Sequence, residues 1–172
     1  MKKLLQLLLV ISMTVISSFT LFAQPIPEDS LYLGQTPPGN IPQIFNLPVT
    51  SGHRACERIT ISSDGKEIYY GELNTYPPTS YRVRCFKYLD NKWQGPFNVF
   101  EGFIAPKLSV NDSIIYMQNN IFYTYFSIRT DSGWSVPVRL ISKNLRTHYL
   151  QETNLNNIYA STYYEGSPTD GN

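Results

Sequence analysis

The chain has 172 residues with 14 basic and 13 acidic side chains, which leaves a formal net charge of +1. A protein that binds nucleic acid by neutralising many phosphates needs a clear basic excess, so this balance excludes that class. Hydrophobic residues make up 42% of the chain, and its thirteen tyrosines and nine phenylalanines favour strands. The composition predicts an all-β protein with enough apolar material for a packed core.

Residues 1–23 have the composition of a secretory signal peptide. Lys2 and Lys3 precede a largely apolar run that extends to Phe22, and the small residue Ala23 provides a cleavage site. The alternative is a membrane anchor, but serines and threonines dilute the apolar run. We expect cleavage after Ala23, export to the periplasm or the extracellular space, and no membrane span after cleavage.

Residues 24–50 form a proline-rich lead-in. The segment holds six of the twelve prolines of the chain. Because proline fixes φ and removes a backbone donor, the segment cannot be a central strand or a helix interior. We interpret it as an extended segment that docks on the following domain through Ile41, Ile44, Phe45 and Leu47. The alternative is a flexible spacer.

From residue 51 to residue 172 short β-rich runs repeat. Residues 61–70 read Ile-Ser-Ser-Asp-Gly-Lys-Glu-Ile-Tyr-Tyr, and a similar run follows at 108–117. A third and weaker copy lies at 151–160. Each copy predicts a strand, a polar turn and a second strand that contains Ile-Tyr.

The polar turns of these copies have distinct residues. Asp64 and Gly65 suit a tight hairpin, because glycine accepts the positive φ that such a turn requires. Asn111 and Asp112 take the same place in the second copy and are the next most tolerant residues there. We therefore assign these four residues structural roles in turns.

A second marker repeats in step with the first. Residues 93–99 and 134–140 share a Trp-x-x-Pro pattern 41 positions apart. The alternating stretches 81–89 and 121–129 between the markers are typical of strands. Four strands in about 40–50 residues is the period of a β-propeller blade. The alternative is a β-sandwich whose hairpins are similar by chance.

The markers predict three blades, at about residues 55–100, 104–141 and 148–172, the last of them incomplete. About two and a half four-stranded blades make an incomplete ring, because propellers close with four or more. We therefore expect either missing C-terminal blades in a longer chain or self-association. We also expect Trp93 and Trp134 to occupy equivalent positions, each packed against a neighbouring sheet.

The run at 61–70 resembles the Ser-Pro-Asp-Gly-x-x-Ile-x-Phe/Tyr signature of the TolB-like, WD-repeat-like bacterial β-propeller family. The resemblance extends over about residues 31–172 and departs from the signature at Ser63, where proline is usual. It implies a propeller in an exported envelope protein of the kind that acts mostly as a scaffold for protein or ligand contacts. It implies no particular activity, since the motif is a structural one.

Motifs that carry chemistry are missing from the sequence. The chain has no phosphate-binding glycine loop, no Gly-x-Ser-x-Gly elbow and no cluster of metal-ligating residues. We predict no catalytic residue, no cofactor and no metal. Cys56 and Cys85 lie on predicted strands that a third strand separates, which is too far apart for a disulfide, so we favour free thiols.

Two functions remain. The first is a non-catalytic scaffold that binds a protein, a peptide or an envelope polymer such as a glycan through aromatic residues, for which the candidates are Tyr76, Tyr81, Tyr163 and Tyr164. These tyrosines can equally be strand residues with one packed face. The second is a carbohydrate-active hydrolase or lyase that uses a central pocket, for which the candidates at repeat-related positions are His53, Glu57, His148 and Glu152.

Overall fold

The computed structural model describes residues 25–37, 39–141, 145–153 and 157–164. These ranges are mostly β, with antiparallel sheets, one of which is curled. The predicted signal peptide at 1–23 lies outside them. Within the described ranges, no helix has the length and apolar character needed to cross a membrane.

The elements follow in chain order with short connections. A 3₁₀ segment, Glu28–Gly34, precedes the strands β1 Arg54–Ile61, β2 Glu67–Leu73, β3 Tyr81–Leu89, β4 Lys92–Glu101, β5 Ile104–Leu108, β6 Ile114–Gln118, β7 Thr124–Thr130, β8 Gly133–Trp134, β9 Val138–Arg139, β10 Leu145–Glu152 and β11 Ile158–Tyr164.

The first sheet is a four-stranded antiparallel meander in the order β1-β2-β3-β4. Its third strand covers residues 81–89, the range that the alternation predicts. The turn between β1 and β2 contains Gly65 at a φ of 75°. Asp64 Oδ1 accepts hydrogen bonds from the Ser62 hydroxyl at 2.6 Å and from the Lys66 N–H at 2.9 Å, which closes this turn.

The second sheet has the same meander in its first three strands and then departs from it. Strands β5, β6 and β7 pair in order, but β8 and β9 are separate two-residue strands that both pair with β7. The Trp-x-x-Pro run at 134–140 therefore does not form one continuous strand, unlike the matching run in β4. Ser135 Oγ accepts the Ile128 N–H at 3.0 Å, and Pro137 has no N–H to donate, so the backbone ladder breaks here.

The strand predicted at 121–129 begins only at Thr124. The preceding residues form a turn around Asn119, whose side-chain oxygen accepts the N–H groups of Ile121 at 3.3 Å and Tyr123 at 3.0 Å. An asparagine that bonds neighbouring backbone donors competes with the strand ladder. The third sheet is the pair β10-β11.

The main core lies between the first and second sheets. Both contribute fully buried side chains to it: Tyr69, Val83 and Cys85 from the first sheet, and Leu108, Ile115 and Met117 from the second. The buried residues on β2 and β6 recur at the 47-residue spacing of the sequence repeat, since Ile68 corresponds to Ile115 and Tyr70 to Met117.

Carboxylates join neighbouring sheets at the turns. Asp112 Oδ2 accepts the backbone N–H of Ser63 at 2.7 Å and the hydroxyl of the same residue at 2.6 Å. Glu152 Oε2 accepts the N–H of Val110, the residue that corresponds to Ser63, at 3.1 Å. Asp112 has a φ of 58°, and Asn111 Oδ1 accepts the Ser109 hydroxyl at 2.9 Å. The N–H groups at these two corresponding positions are thus each capped by a carboxylate from the following sheet.

The lead-in docks on the outer face of the first sheet. Leu33 and Leu47 pack beside buried side chains of that face, and the Tyr70 hydroxyl donates to the Pro48 carbonyl at 2.6 Å. Ile41 and Ile44 are 75% and 88% exposed, so these two do not serve as docking residues.

Trp93 and Trp134 pack against different partners. Trp134 packs against Tyr69 of the neighbouring sheet, with ring centroids 6.1 Å apart. Trp93 packs against the lead-in, where its Nε1 donates to the Ser30 carbonyl at 2.6 Å. The expectation that both tryptophans face a neighbouring sheet is wrong for Trp93, because the lead-in occupies that place.

Candidate binding site at the bulges of the first strands

The first strand of each sheet contains a bulge. The pairing register shifts between Cys56 and Ile59 in β1, between Ile104 and Lys107 in β5, and between His148 and Gln151 in β10. One residue in each bulge has a left-handed backbone, namely Glu57 at a φ of 66°, Ala105 at 54° and Tyr149 at 50°. Bulges turn side chains out of the strand alternation and are frequent beside functional sites.

Two of these bulges contact each other across the sheets. The Tyr149 hydroxyl donates to Glu57 Oε2 at 2.9 Å. Arg58 Nη1 donates to the Leu150 carbonyl at 2.7 Å, and the Arg58 guanidinium lies 5.4 Å from the centroid of the Tyr149 ring. The hydrogen bond to the carboxylate raises the pKa of Tyr149, and burial lowers the pKa of Arg58. A carboxylate, a guanidinium and a phenol are therefore held together.

His148 adds a second aromatic group beside Tyr149. Its ring centroid lies 4.0 Å from that of Tyr149 and 4.7 Å from that of Phe122, which the loop between β6 and β7 supplies. Its Nε2 is buried and has no hydrogen-bond partner among the described residues. Burial lowers the pKa of His148 from 6.5, so the ring is neutral at neutral pH.

Tyr76 stands at the rim of this group. It lies in the loop between β2 and β3, at the end where Arg54 of β1 pairs with Leu73 of β2, and it is 67% exposed. The Tyr76 phenol also contributes to the raised pKa of Tyr149, after the hydrogen bond to Glu57 and burial. We call this set the bulge cluster; its members are Glu57, Arg58, Tyr76, Phe122, His148 and Tyr149.

The structure separates the four tyrosines proposed from the sequence. Tyr76 belongs to the bulge cluster. Tyr81 begins β3 and is half-buried, with its carbonyl accepting the Gly102 N–H at 2.9 Å. The backbones of Tyr163 and Tyr164 pair with Arg146 and Leu145 in the third sheet, and their side chains lie outside the described part of the structure.

The four residues considered for catalysis also separate. Glu57 and His148 belong to the bulge cluster, and Glu57 influences the pKa of His148. His53 contacts the Ser80 hydroxyl at 3.2 Å through Nε2, and Glu152 caps the Val110 N–H at a turn. Glu57 and Glu152 therefore have different partners in different places.

The described residues contain no group of three or more histidine, cysteine, aspartate or glutamate side chains able to hold a metal ion. Cys56 and Cys85 are free thiols, as the strand separation predicts. Burial raises the pKa of each to about 12, so both are protonated and unreactive at neutral pH.

A cavity of about 470 Å³ that is lined mostly by charged and polar residues lies at the turn end of the sheets, away from the bulge cluster. Glu67 crosses it with ion pairs to Arg129 at 2.7 Å and to Lys87 at 3.0 Å. Burial alone raises the pKa of Glu67, but the hydrogen bonds from Arg129 and Lys87 outweigh it and lower the pKa overall. Because these charges satisfy each other across two sheets, the cavity is part of the sheet joint.

Sequence reasoning missed Arg58, Phe122 and Tyr149. The sequence offered no signal for them, because the correspondence of Glu57, Ala105 and Tyr149 appears only in the strand register of the structure. Comparisons with family models, curated proteins and solved structures gave no match to this chain.

Proposed function

We propose that this chain belongs to an exported, TolB-like β-propeller scaffold that binds a protein, peptide or envelope polymer at the bulge cluster. The observation that carries the proposal is the meeting of side chains from three sheets at one place. Tyr149 and His148 come from the third sheet, Phe122 from the second, and Glu57 from the first.

Support for the propeller comes from the relation between the sheets. The first sheet is a four-stranded meander, the second repeats its first three strands, and the third repeats the pairing of the first two. The first strands carry matching bulges, and Arg58 of the first sheet bonds to the backbone of the third. In a β-propeller the first strands of successive blades lie around a central axis, and the blades pack face to face around it. The matching first strands and the packed sheets of this chain support that arrangement.

The chemistry of the bulge cluster favours binding over hydrolysis. Paired-carboxylate hydrolysis places two acids on either side of one glycosidic bond. Glu57 is engaged by the Tyr149 hydroxyl, whereas Glu152 is engaged by the Val110 backbone in a different place. Exposed aromatic faces beside a carboxylate and a guanidinium instead suit stacking and hydrogen bonding to a polar polymer or peptide.

Co-sedimentation tests the proposal with insoluble glycans, namely chitin, cellulose and peptidoglycan, and a peptide array tests the polypeptide ligands. Each lost aromatic contact is worth about 0.5–1.5 kcal/mol, so we expect Tyr76→Ala and Tyr149→Ala to weaken binding by about twofold to tenfold each. Phe97→Ala, which truncates a 44% exposed aromatic residue of β4, is the control. Equal binding by the wild type and all three variants would show that the bulge cluster does not bind these ligands.

The hydrolase alternative has its own measurement. Release of reducing ends from soluble polysaccharides is compared for the wild type and for Glu57→Gln and His148→Ala. Turnover that both variants abolish would favour catalysis, whereas binding without turnover supports the scaffold. Mass measurement of the protein recovered outside the cytoplasm tests the predicted cleavage after Ala23.

A further inference from the structure

The interface between the first two sheets contains a seat for a tyrosine. Tyr69 of the first sheet is fully buried in the same cluster as Leu108 and Ile115 of the second sheet. Trp134 of the second sheet packs edge-on against the Tyr69 ring, with its Nε1 3.3 Å from the Tyr69 hydroxyl. We call the face of the second sheet that surrounds Tyr69 a tyrosine seat.

The first sheet carries a copy of this seat. Ile61 and Ile68 precede Leu108 and Ile115 by 47 positions. Ile59, opposite Tyr70 in the register, likewise precedes Pro106, and Trp93 is the counterpart of Trp134 in the second sequence marker. The residues that surround Tyr69 in the second sheet thus have apolar counterparts at the same positions in the first.

The copy is open where the original is filled. Leu108 is 1% exposed and Pro106 is fully buried, whereas their counterparts Ile61 and Ile59 are 51% and 46% exposed. A groove of about 340 Å³ lies over them, almost entirely apolar. Its lining includes Ile59, Ile61, Ile68 and Trp93 of the sheet and Leu31 and Phe45 of the lead-in.

The lead-in covers only one end of this open seat. The Ser30 carbonyl takes the Trp93 N–H, as the Tyr69 hydroxyl does for Trp134. The lead-in side chains form a wall of the groove and leave Ile59 and Ile61 exposed. A side chain that enters the groove therefore contacts apolar residues of the sheet and of the lead-in. Because the Trp93 N–H already has an acceptor, an aromatic ring would be held there by burial and not by a hydrogen bond to Trp93.

The third sheet carries the matching tyrosine without a seat. Tyr69, Tyr116 and Tyr159 each lie in the second strand of their sheet and pair with Thr60, Lys107 and Gln151 of the first strand. Tyr69 is 0% exposed and Tyr116 is 5% exposed, but Tyr159 is 62% exposed. The chain thus exposes an empty tyrosine seat on its first sheet and, on its third sheet, the tyrosine that corresponds to Tyr69.

We propose that Tyr159 of one copy of this chain occupies the open tyrosine seat of a second copy. Tyr159 does not occupy the seat of its own chain, because Tyr159 and the seat residue Ile61 are 62% and 51% exposed. The second sheet packs on the opposite face of the first sheet. The contact is heterologous, since the two surfaces differ. This contact between two molecules would repeat the packing that Tyr69 makes within a single molecule.

Sedimentation velocity of the purified mature chain tests this contact. We expect the wild type and Tyr159→Phe to associate, because the contact depends on the ring. Tyr159→Ala removes the ring, and Ile61→Asp places a charge in the seat, so each variant alone should lose the association. Both positions are solvent-exposed in the single chain, and thermal melts that match the wild type will establish that the variants fold.

A mixture of the two defective variants gives the decisive result. Tyr159→Ala retains an intact seat, and Ile61→Asp retains an intact Tyr159, so one good contact forms between them. We expect a heterodimer in the mixture although neither variant associates alone. A wild type that stays monomeric would overturn the proposal. Association that persists in Tyr159→Ala would overturn it too and would indicate seat-to-seat packing. Binding at the bulge cluster is measured separately and does not depend on either result.

Discussion

Glu72 in β2 is a buried carboxylate that pairs with two arginines of the first sheet. Its side chain has no exposed surface, and its oxygens lie 3.3 Å from Arg82 Nε and 3.1 Å from Arg84 Nη1. It also accepts the Thr50 N–H at 3.0 Å, which fixes the end of the lead-in to the sheet. Replacing Glu72 by Gln keeps the shape but removes the buried counter-charge of two mostly buried guanidinium groups, of which Arg82 retains only the exposed Glu101.

Removing one partner of a buried ion pair costs about 3–5 kcal/mol. Because the glutamine oxygen can still accept from Thr50, we expect Glu72→Gln to lower the free energy of unfolding by about 3 kcal/mol. The measurement is urea denaturation followed by tryptophan fluorescence. The control is Glu101→Gln, which neutralises a 63% exposed carboxylate 3.6 Å from the same Arg82 and should change stability by less than about 0.5 kcal/mol.

The pH dependence provides an independent test of the same carboxylate. Burial alone raises the pKa of Glu72, but the hydrogen bonds from Thr50 and the charges of Arg84 and Arg82 lower it overall. A lowered folded-state pKa gives stability that is present above the ordinary value of 4.5 and is lost as the pH falls below it. The difference between the wild type and Glu72→Gln should therefore shrink in acid. Similar losses for the Glu72 and Glu101 variants would refute the reasoning.

Three further predictions concern the turn, the sheet interface and the thiols. Gly65→Val should cost about 1–2 kcal/mol from backbone strain alone, since a Cβ there meets open space, and Gly39→Val is the control without a positive φ. Trp134→Ala should lower the free energy of unfolding by about 3 kcal/mol, because its ring contacts Tyr69 across the sheets. The denaturation midpoints of the Gly65 and Trp134 variants measure both effects. Cys85 should resist a thiol reagent until the protein unfolds, and rapid labelling of the native protein would contradict its burial.

Much of the sheet structure could be predicted because its signals are local. Alternation over residues 81–89 sets a strand of the observed length, and the glycine at position 65 marks a turn with positive φ. The separation of Cys56 and Cys85 by one strand follows from the same pattern. These features depend on neighbours within a few residues, so one sequence contains them.

The bulge cluster could not be predicted, because its signals are not local. The left-handed positions hold Glu57, Ala105 and Tyr149, which share no side-chain chemistry and include no glycine. Their backbones are held by contacts between sheets, such as the Tyr149 hydrogen bond to Glu57 across 92 positions. Phe122 lies in a turn whose backbone the Asn119 side chain holds through the Tyr123 N–H, and the same turn shortens the predicted strand.

The two ends of the sheets differ in a way that bears on the proposed binding site. At the turn end, matching backbone donors at Ser63 and Val110 receive a carboxylate from the following sheet, so this end repeats a structural joint. At the bulge end, matching positions carry an acid in the first sheet, a methyl group in the second and a phenol in the third. Packing between repeats alone does not require side chains of such different chemistry at equivalent positions. Because the bulge end keeps the backbone geometry and varies the side chains, the proposed binding function fits this end better than the other end, where the joints hold the sheets in place.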